Sequence, residues 1–376
     1  MSTITKEHAG IFALYESLRS SLGTGVLATI VRTSGSTYRR AGARMLVADD
    51  GRSAGLISGG CLESDLRERS ARVREGGTPL LVTYDSTSRE DILWGLGVGC
   101  SGVAHVLLER ISGGEASEVL EFIELCRRER RAGAVASLYA GPGPEAAPAS
   151  RVYMTEGGKP TGDLLPGPVQ ESLATACAAA IAAERSSHRS VPLAGGSAEA
   201  FIEYIAPPLS LLVFGAGPDA VPLVRLAKEL GWHVTVLDGR AAYLTRESFP
   251  LADELVLAHP GEIRDRFTVP RRSAAVVMTH NFNNDAALVG ALLQSAASFV
   301  GLLGPRAKTE LLLAHIAEEG IIPTEEEIAR LHAPVGLDIG AETPEEIALA
   351  IVAEIQASLH DREGTPLRRR EGPIHR

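Results

Sequence analysis

Residues 209–240, LSLLVFGAGPDAVPLVRLAKELGWHVTVLDGR, limit the possible folds more than any other stretch of the chain. The run 209–214 is short and apolar, as expected of a strand buried on both faces. Gly215-Ala216-Gly217 reads as a tight turn. Residues 218–229 have helical spacing, with Val221, Leu223, Val224, Leu226 and Ala227 able to share an inner face, and Gly231 stops that helix. Residues 232–237 read as a second strand, with Asp238 at its end. Strand, glycine turn, helix, strand and acid in this order form the context of a dinucleotide fingerprint. The expected class is α/β, with a Rossmann-like, doubly wound parallel sheet in the C-terminal part.

The spacing has a mechanism. Gly215 permits the turn, and Gly217 lets a pyrophosphate approach the backbone. The following helix offers N–H groups and a positive dipole end. Asp238 lies 23 residues past Gly215, where a carboxylate accepts hydrogen bonds from ribose hydroxyls. Three positions depart from the pattern: the third glycine is Ala220, Pro218 gives up an N–H, and Asp219 brings a negative charge to the phosphate position. Two readings stay open, a retained nucleotide site and a fold kept as scaffold. Arg240 suits a 2′-phosphate, but Asp238 argues for NAD over NADP.

At 376 residues the chain has room for two domains. A net charge of −10 argues against nucleic acid as the main partner. Apolar stretches are too short or too interrupted to span a bilayer, and residues 1–10 lack the apolar core of a signal peptide. Four cysteines do not make a disulfide framework at this length, so the expected compartment is a reducing cytoplasm.

In the N-terminal part, residues 5–20 have the spacing of an amphipathic helix, and 25–31 is rich in strand formers. A loop carrying Arg39, Arg40 and Arg44 follows. Asp49-Asp50-Gly51-Arg52 is a hairpin turn. The second hairpin strand runs into Ser58-Gly59-Gly60-Cys61-Leu62-Glu63, which opens a helix through about residue 74. A further glycine-rich segment contains Gly97, Gly99 and Cys100. Glycine clusters let a bulky ligand approach the backbone. A thiol at a helix N-terminus, as Cys61 would be, becomes a better nucleophile or metal ligand. The arginines could clamp a phosphate. The plain alternatives are glycines that only turn, cysteines that only pack and arginines on a solvated face. No zinc pattern fits, because Cys61 and Cys100 stand 39 residues apart without paired ligands. Cys126 and Cys177 fall in helical patterns and read as packing residues. Residues 186–196 read as a polar loop, and Pro207-Pro208 as the hinge between domains 1–206 and 207–360.

After Asp238 the α/β alternation continues. His280 ends a buried strand at the carboxyl edge, where open α/β sheets hold ligands. The segment 331–340 mixes apolar residues with glycine and suggests a surface packed against the other domain or a second protomer. Thr343-Pro344-Glu345-Glu346 is a capping box that opens the last helix. Residues 361–376 are basic and read as a disordered tail.

With these motifs laid out, the chain resembles the xanthine dehydrogenase accessory factor family (XdhC/CoxI) over nearly its whole length. The resemblance rests on GSTYRRAGARMLV, GLISGGCLE and WGLGVGCSG in the N-terminal part. In the C-terminal part it rests on the glycine fingerprint, VGLLGPR and RLHAPVGLDIGAETPEEIALAIVAEI. It implies a cytoplasmic, dimeric accessory protein of molybdenum hydroxylases. Such a protein would bind the molybdenum cofactor (molybdopterin) while a cysteine desulfurase supplies sulfur, and assist insertion into the apo-enzyme. In that scheme Arg39, Arg40 and Arg44 hold the phosphate. Ser58, Gly59, Gly60, Glu63, Gly97 and Gly99 line the pterin, and Cys61 or Cys100 meets the metal or a sulfur in transit. Gly215, Gly217, Asp238 and His280 are the matching positions in the Rossmann-like part. Two other readings compete: an NAD(P)-dependent oxidoreductase, and a docking chaperone that binds no small molecule.

Overall fold

The computed structural model describes residues 2–3, 6–60, 62–86, 102–141, 149–163, 165, 167–193, 195–262 and 267–371. The chain divides into two compact units between Pro207 and Pro208.

The first unit runs through β1 (Ser2–Thr3), α1 (Lys6–Ser21), β2 (Thr24–Gly35), β3 (Arg44–Ala48), β4 (Ser53–Gly55), α2 (Glu63–Gly76), β5 (Leu80–Asp85) and β6 (Gly102–Ser112). It continues with α3 (Glu118–Glu129), β7 (Gly133–Ala140), β8 (Arg151–Thr155), β9 (Thr161–Gly162), α4 (Gly167–Ala182), β10 (Ser187–Leu193) and β11 (Gly196–Ala206). Among the described residues two sheets form, with orders β4-β3-β2-β6-β5 and β1-β11-β7-β8-β9, and β10 pairs with β11. The core between them takes Ile11, Tyr15 and Leu18 of α1, Leu120 and Ile123 of α3, and inward residues of both sheets. The outer face of one sheet is covered by α2 through Leu66 and Val73. The outer face of the other is covered by α4 through Val169, Leu173 and Cys177. Burial pushes the Cys126 and Cys177 thiols up to about 12, which suits inert packing groups.

Two buried ion pairs pin the sheets to each other. Arg44 on β3 meets Glu203 on β11 with both ends of its guanidinium, at 2.8 Å for one bond, and each side chain is 2% exposed. Arg151 on β8 grips Glu109 on β6 at 2.7 Å and also reaches Ser137. Removing one partner would strand a buried charge at a cost of about 3–5 kcal/mol.

The polar segment 186–196 departs from the sequence expectation. It contains β10, antiparallel to β11 from Ser187↔Ile202 to Leu193↔Gly196, and Val191 alone of its residues is buried. A polar edge strand has no periodic apolar signal, because most of its side chains face water.

The second unit contains β12 (Ser210–Phe214), α5 (Ala220–Glu229), β13 (His233–Asp238), β14 (Glu254–Leu257), β15 (Ser273–Val277), α6 (Phe282–Leu293), β16 (Phe299–Leu302), α7 (Arg306–Glu318), α8 (Glu325–Ala329), β17 (Leu331–His332) and α9 (Pro344–Ser358). Its strands form one parallel sheet of order β14-β13-β12-β15-β16-β17. That is the order of the Rossmann sheet, with its switch point between β12 and β15. Every residue of β12 and β15 is buried, because α5 and α9 pack on one face and α6 and α7 on the other.

The segment 331–340 packs on its own unit. Leu331 and His332 extend the sheet beside β16, Val335 enters the core, and Glu354 of α9 accepts from Gly336 N–H at 2.6 Å. Residues 367–369 form a 3₁₀ turn. Among the described residues no helix is long and apolar enough to cross a membrane.

Candidate functional site

The turn between β4 and α2 is braced from below. Ser58 is buried, and its backbone N–H donates to Glu63 Oε1 at 2.9 Å while its hydroxyl donates to Oε2. Ser58 Oγ accepts in turn from the N–H groups of Gly60 at 3.2 Å and Leu62 at 3.1 Å. One carboxylate at the first helical position thus holds the turn's shape, and the amide of Gly60 is committed inward. Gly60 has φ of 113°, and among the described residues, its chain neighbours aside, no atom lies within 4 Å of where a Cβ would stand. Beside it, Gly59 faces the half-exposed ring of Tyr38, which lies 3.8 Å from where a Cβ on Gly59 would stand.

The arginines of the preceding loop are placed separately. Arg39 pairs with Glu7 at 2.6 Å, and Glu7 also accepts from Leu56 N–H at 2.8 Å. Arg44 is spent on Glu203, whereas Arg40 carries an exposed side chain. His8 sits against the Arg44–Glu203 pair, and burial, aided by the Arg44 charge, pushes its imidazole down to about 4. Cys61, Gly97, Gly99 and Cys100 lie outside the described residues. Among the described residues no group of three or more His, Cys, Asp or Glu side chains could hold a metal ion.

The second region is the carboxyl edge of the Rossmann sheet. Gly215 has φ of 119°, and a Cβ there would stand 2.5 Å from the carbonyl oxygen of Met278. At Gly217 a Cβ would meet Asp219 Oδ1 at 2.4 Å. Asp219 stands at the N-cap of α5 without capping it. Its other oxygen lies 2.7 Å from Nε2 of His280, which sits in the loop three residues past β15 with φ of 57°. Asp238 accepts from Ala216 N–H at 2.8 Å and from the backbone N–H and the guanidinium of Arg240, at 2.8–2.9 Å. Burial alone would raise the Asp238 carboxyl. The Arg240 side chain and the two backbone donors outweigh burial and hold it below the usual range. The Arg240 guanidinium also lies over the Tyr243 ring, 4.3 Å from its centroid.

Two cavities open at this edge. One of about 230 Å³ is bounded by Asp238, Arg240, His259, Thr279, Asn281 and Asn284. The other, about 570 Å³, has His280, Phe282, Gly304, Lys308, Val335 and Ile347 in its wall. Lys308 is tied to the fully buried Asp285, which also accepts from the Thr279 hydroxyl at 2.6 Å.

Sequence reasoning singled out Asp238, Arg240, Asp219 and His280 but not the pairs they form. Arg240 was legible two residues from Asp238. The pairs Asp219–His280 and Asp285–Lys308 join residues 61 and 23 positions apart, and no local pattern signals them. The Ser58–Glu63 brace spans five residues, outside the three-residue spacing of a capping box.

Residues 211–355 match the XdhC Rossmann domain, and residues 18–85 match the XdhC and CoxI family. The chain is 38% identical to a Bacillus subtilis protein named as a probable xanthine dehydrogenase component, over 88% of this chain and 92% of that one. The chain belongs to the XdhC and CoxI family. This XdhC/CoxI chain is also 24% identical to the molybdenum cofactor insertion chaperone PaoD of Escherichia coli, over 97% of its own length and 93% of PaoD. A solved structure described as a xanthine dehydrogenase from Bacillus halodurans is 29% identical, with a TM-score of 0.74 over 98% of this chain and 99% of that one.

Proposed function

We propose that this chain is an accessory protein of a xanthine-dehydrogenase-type molybdenum hydroxylase, one that binds the molybdenum cofactor, supports its sulfuration and helps insert it into the apo-enzyme. The observation that carries this reading is end-to-end similarity to two relatives, one named for xanthine dehydrogenase and one for cofactor insertion. The room over Gly60 among the described residues fits it, since a flat ring system can lie against a backbone that has no Cβ.

The residues divide the task. The Ser58–Glu63 brace keeps Gly59 and Gly60 in a shape a pterin can meet, and the Tyr38 ring offers an apolar wall beside them. Arg44 is buried against Glu203, and Arg39 and Arg40, whose side chains reach the surface, are the members of the trio assigned to the cofactor phosphate. When bound, the cofactor supplies a soft, sulfur-ligated metal. Cys61, next in sequence after Gly60, and Cys100 in the other glycine segment are the thiols assigned to that metal or to the sulfur passed on by a cysteine desulfurase. The reading includes a homodimer working in the cytoplasm.

Purified protein tests it. Wild type and Cys61→Ala are incubated with molybdenum cofactor and separated by filtration, and retained metal and pterin are measured. Stoichiometric retention by wild type, lost in the variant, is expected. No retention by wild type, with activation of the apo-enzyme intact, would replace the carrier with a docking chaperone.

A further inference from the structure

The Rossmann order implies a dinucleotide, and the residues at the glycine turn do not fit one. A pyrophosphate needs free backbone N–H groups and bare space over the second glycine. Gly215 N–H donates to Leu237 O at 2.9 Å and Ala216 N–H to Asp238 at 2.8 Å. Ala220 N–H donates to Gly217 O at 3.1 Å, Val221 N–H to Pro218 O at 3.3 Å, and Pro218 has no N–H to offer. The space over Gly217 holds the Asp219 carboxylate. His280 fastens that carboxylate from the neighbouring loop, in a left-handed backbone conformation that is uncommon for non-glycine residues. The acid that would accept from a ribose is gripped by Arg240. Gly215 is thereby accounted for without a ligand by the Met278 carbonyl, and the space over Gly217 is taken by Asp219.

We propose that this chain's glycine turn is closed to dinucleotides because its own Asp219 occupies the pyrophosphate position, with His280 holding it there. The bound anion is built in, and any phosphate arriving must displace a charge of its own sign. This inference is independent of the accessory role, since it concerns the nucleotide alone.

Calorimetric titration of the full chain with NADH and with NADPH tests it. Wild type is expected to show no saturable binding up to about 1 mM. Asp219→Ala, which removes both the charge and the obstruction, should gain saturable binding, tighter than wild type by about tenfold or more. Asp219→Asn keeps the size and drops the charge, guards against a variant that fails to fold, and should gain binding as well. Circular dichroism confirms that the variants are folded. Wild-type binding at or below about 0.1 mM would overturn the proposal. So would folded Asp219 variants that bind no better than wild type, because the obstruction would then lie elsewhere.

Discussion

The chain carries two glycine turns that each lead into a helix, one at Gly59-Gly60 and one at Gly215–Gly217, and they are built in opposite senses. The first is braced from the inside by Glu63 through Ser58, and no described residue apart from its chain neighbours stands over Gly60. The second is filled from the outside by Asp219 and pressed against the Met278 carbonyl from within. A glycine is needed at Gly215 for what the protein itself puts there. At Gly60 the described surroundings leave room, and the backbone angle selects glycine. Glycine content therefore does not report a ligand site. The contents of the volume over the turn do.

The contrast can be broken most forcefully at Gly215. Gly215→Ala would force a Cβ into a carbonyl 2.5 Å away at a positive φ. Strain and overpacking together should cost the second unit about 3 kcal/mol or more. Chemical denaturation in a Trp94→Phe background, followed by Trp232 fluorescence, measures this, and a loss under about 1 kcal/mol would show that the turn relaxes freely.

Glu63→Gln tests the brace of the other turn. A carboxylate that accepts from both donors of Ser58 becomes an amide that can accept only one and turns its NH₂ toward the other. The expected loss is about 2 kcal/mol, and the loss of amide protection should be confined to the peptide containing Gly60 and Leu62. Unchanged exchange there would mean that the turn keeps its shape without the charge.

The smallest effect belongs to Gly217→Ala. Its Cβ would meet only the end of the Asp219 side chain, so it asks for the loss of the His280 contact rather than a shift of backbone. Stability should change by less than about 1 kcal/mol. The His280 ring should register the lost neighbour as a shift of its NMR signals. An effect as large as that of Gly215→Ala would show Asp219 to be rigidly held, and would sharpen the case for a fixed internal anion.

Much of the fold was legible. The buried strands 210–214 and 273–277 are unbroken apolar runs after their first serines, and the capping box at Thr343 marked the start of α9 to the residue. Strand β10 was not legible, because a polar edge strand presents to water the residues that a loop would present. The segment 331–340 carried an apolar signal that was read as a surface for the other domain or a second protomer, whereas Leu331, His332 and Val335 pack on its own sheet and Gly336 donates to Glu354. At the candidate site, Asp238 and His280 were named from their places at strand ends, and Asp219 was recognised as a charge in the phosphate position. The fastening of Asp219 by His280 was out of reach of local patterns.

The sequence alone determined the order of most elements, the Rossmann character of the second unit and the family. These follow from apolar periodicity and turn chemistry, which act over neighbouring residues and are written into the chain locally. Only the tertiary structure decided which charged and polar groups are spent. Arg44 on Glu203, Arg151 on Glu109 and Asp219 on His280 are joined across 159, 42 and 61 residues. A charge is available to a ligand only if no partner has already neutralised it. In a folded chain that partner arrives from a distant strand or loop, so availability is a property of the packing and not of the local sequence.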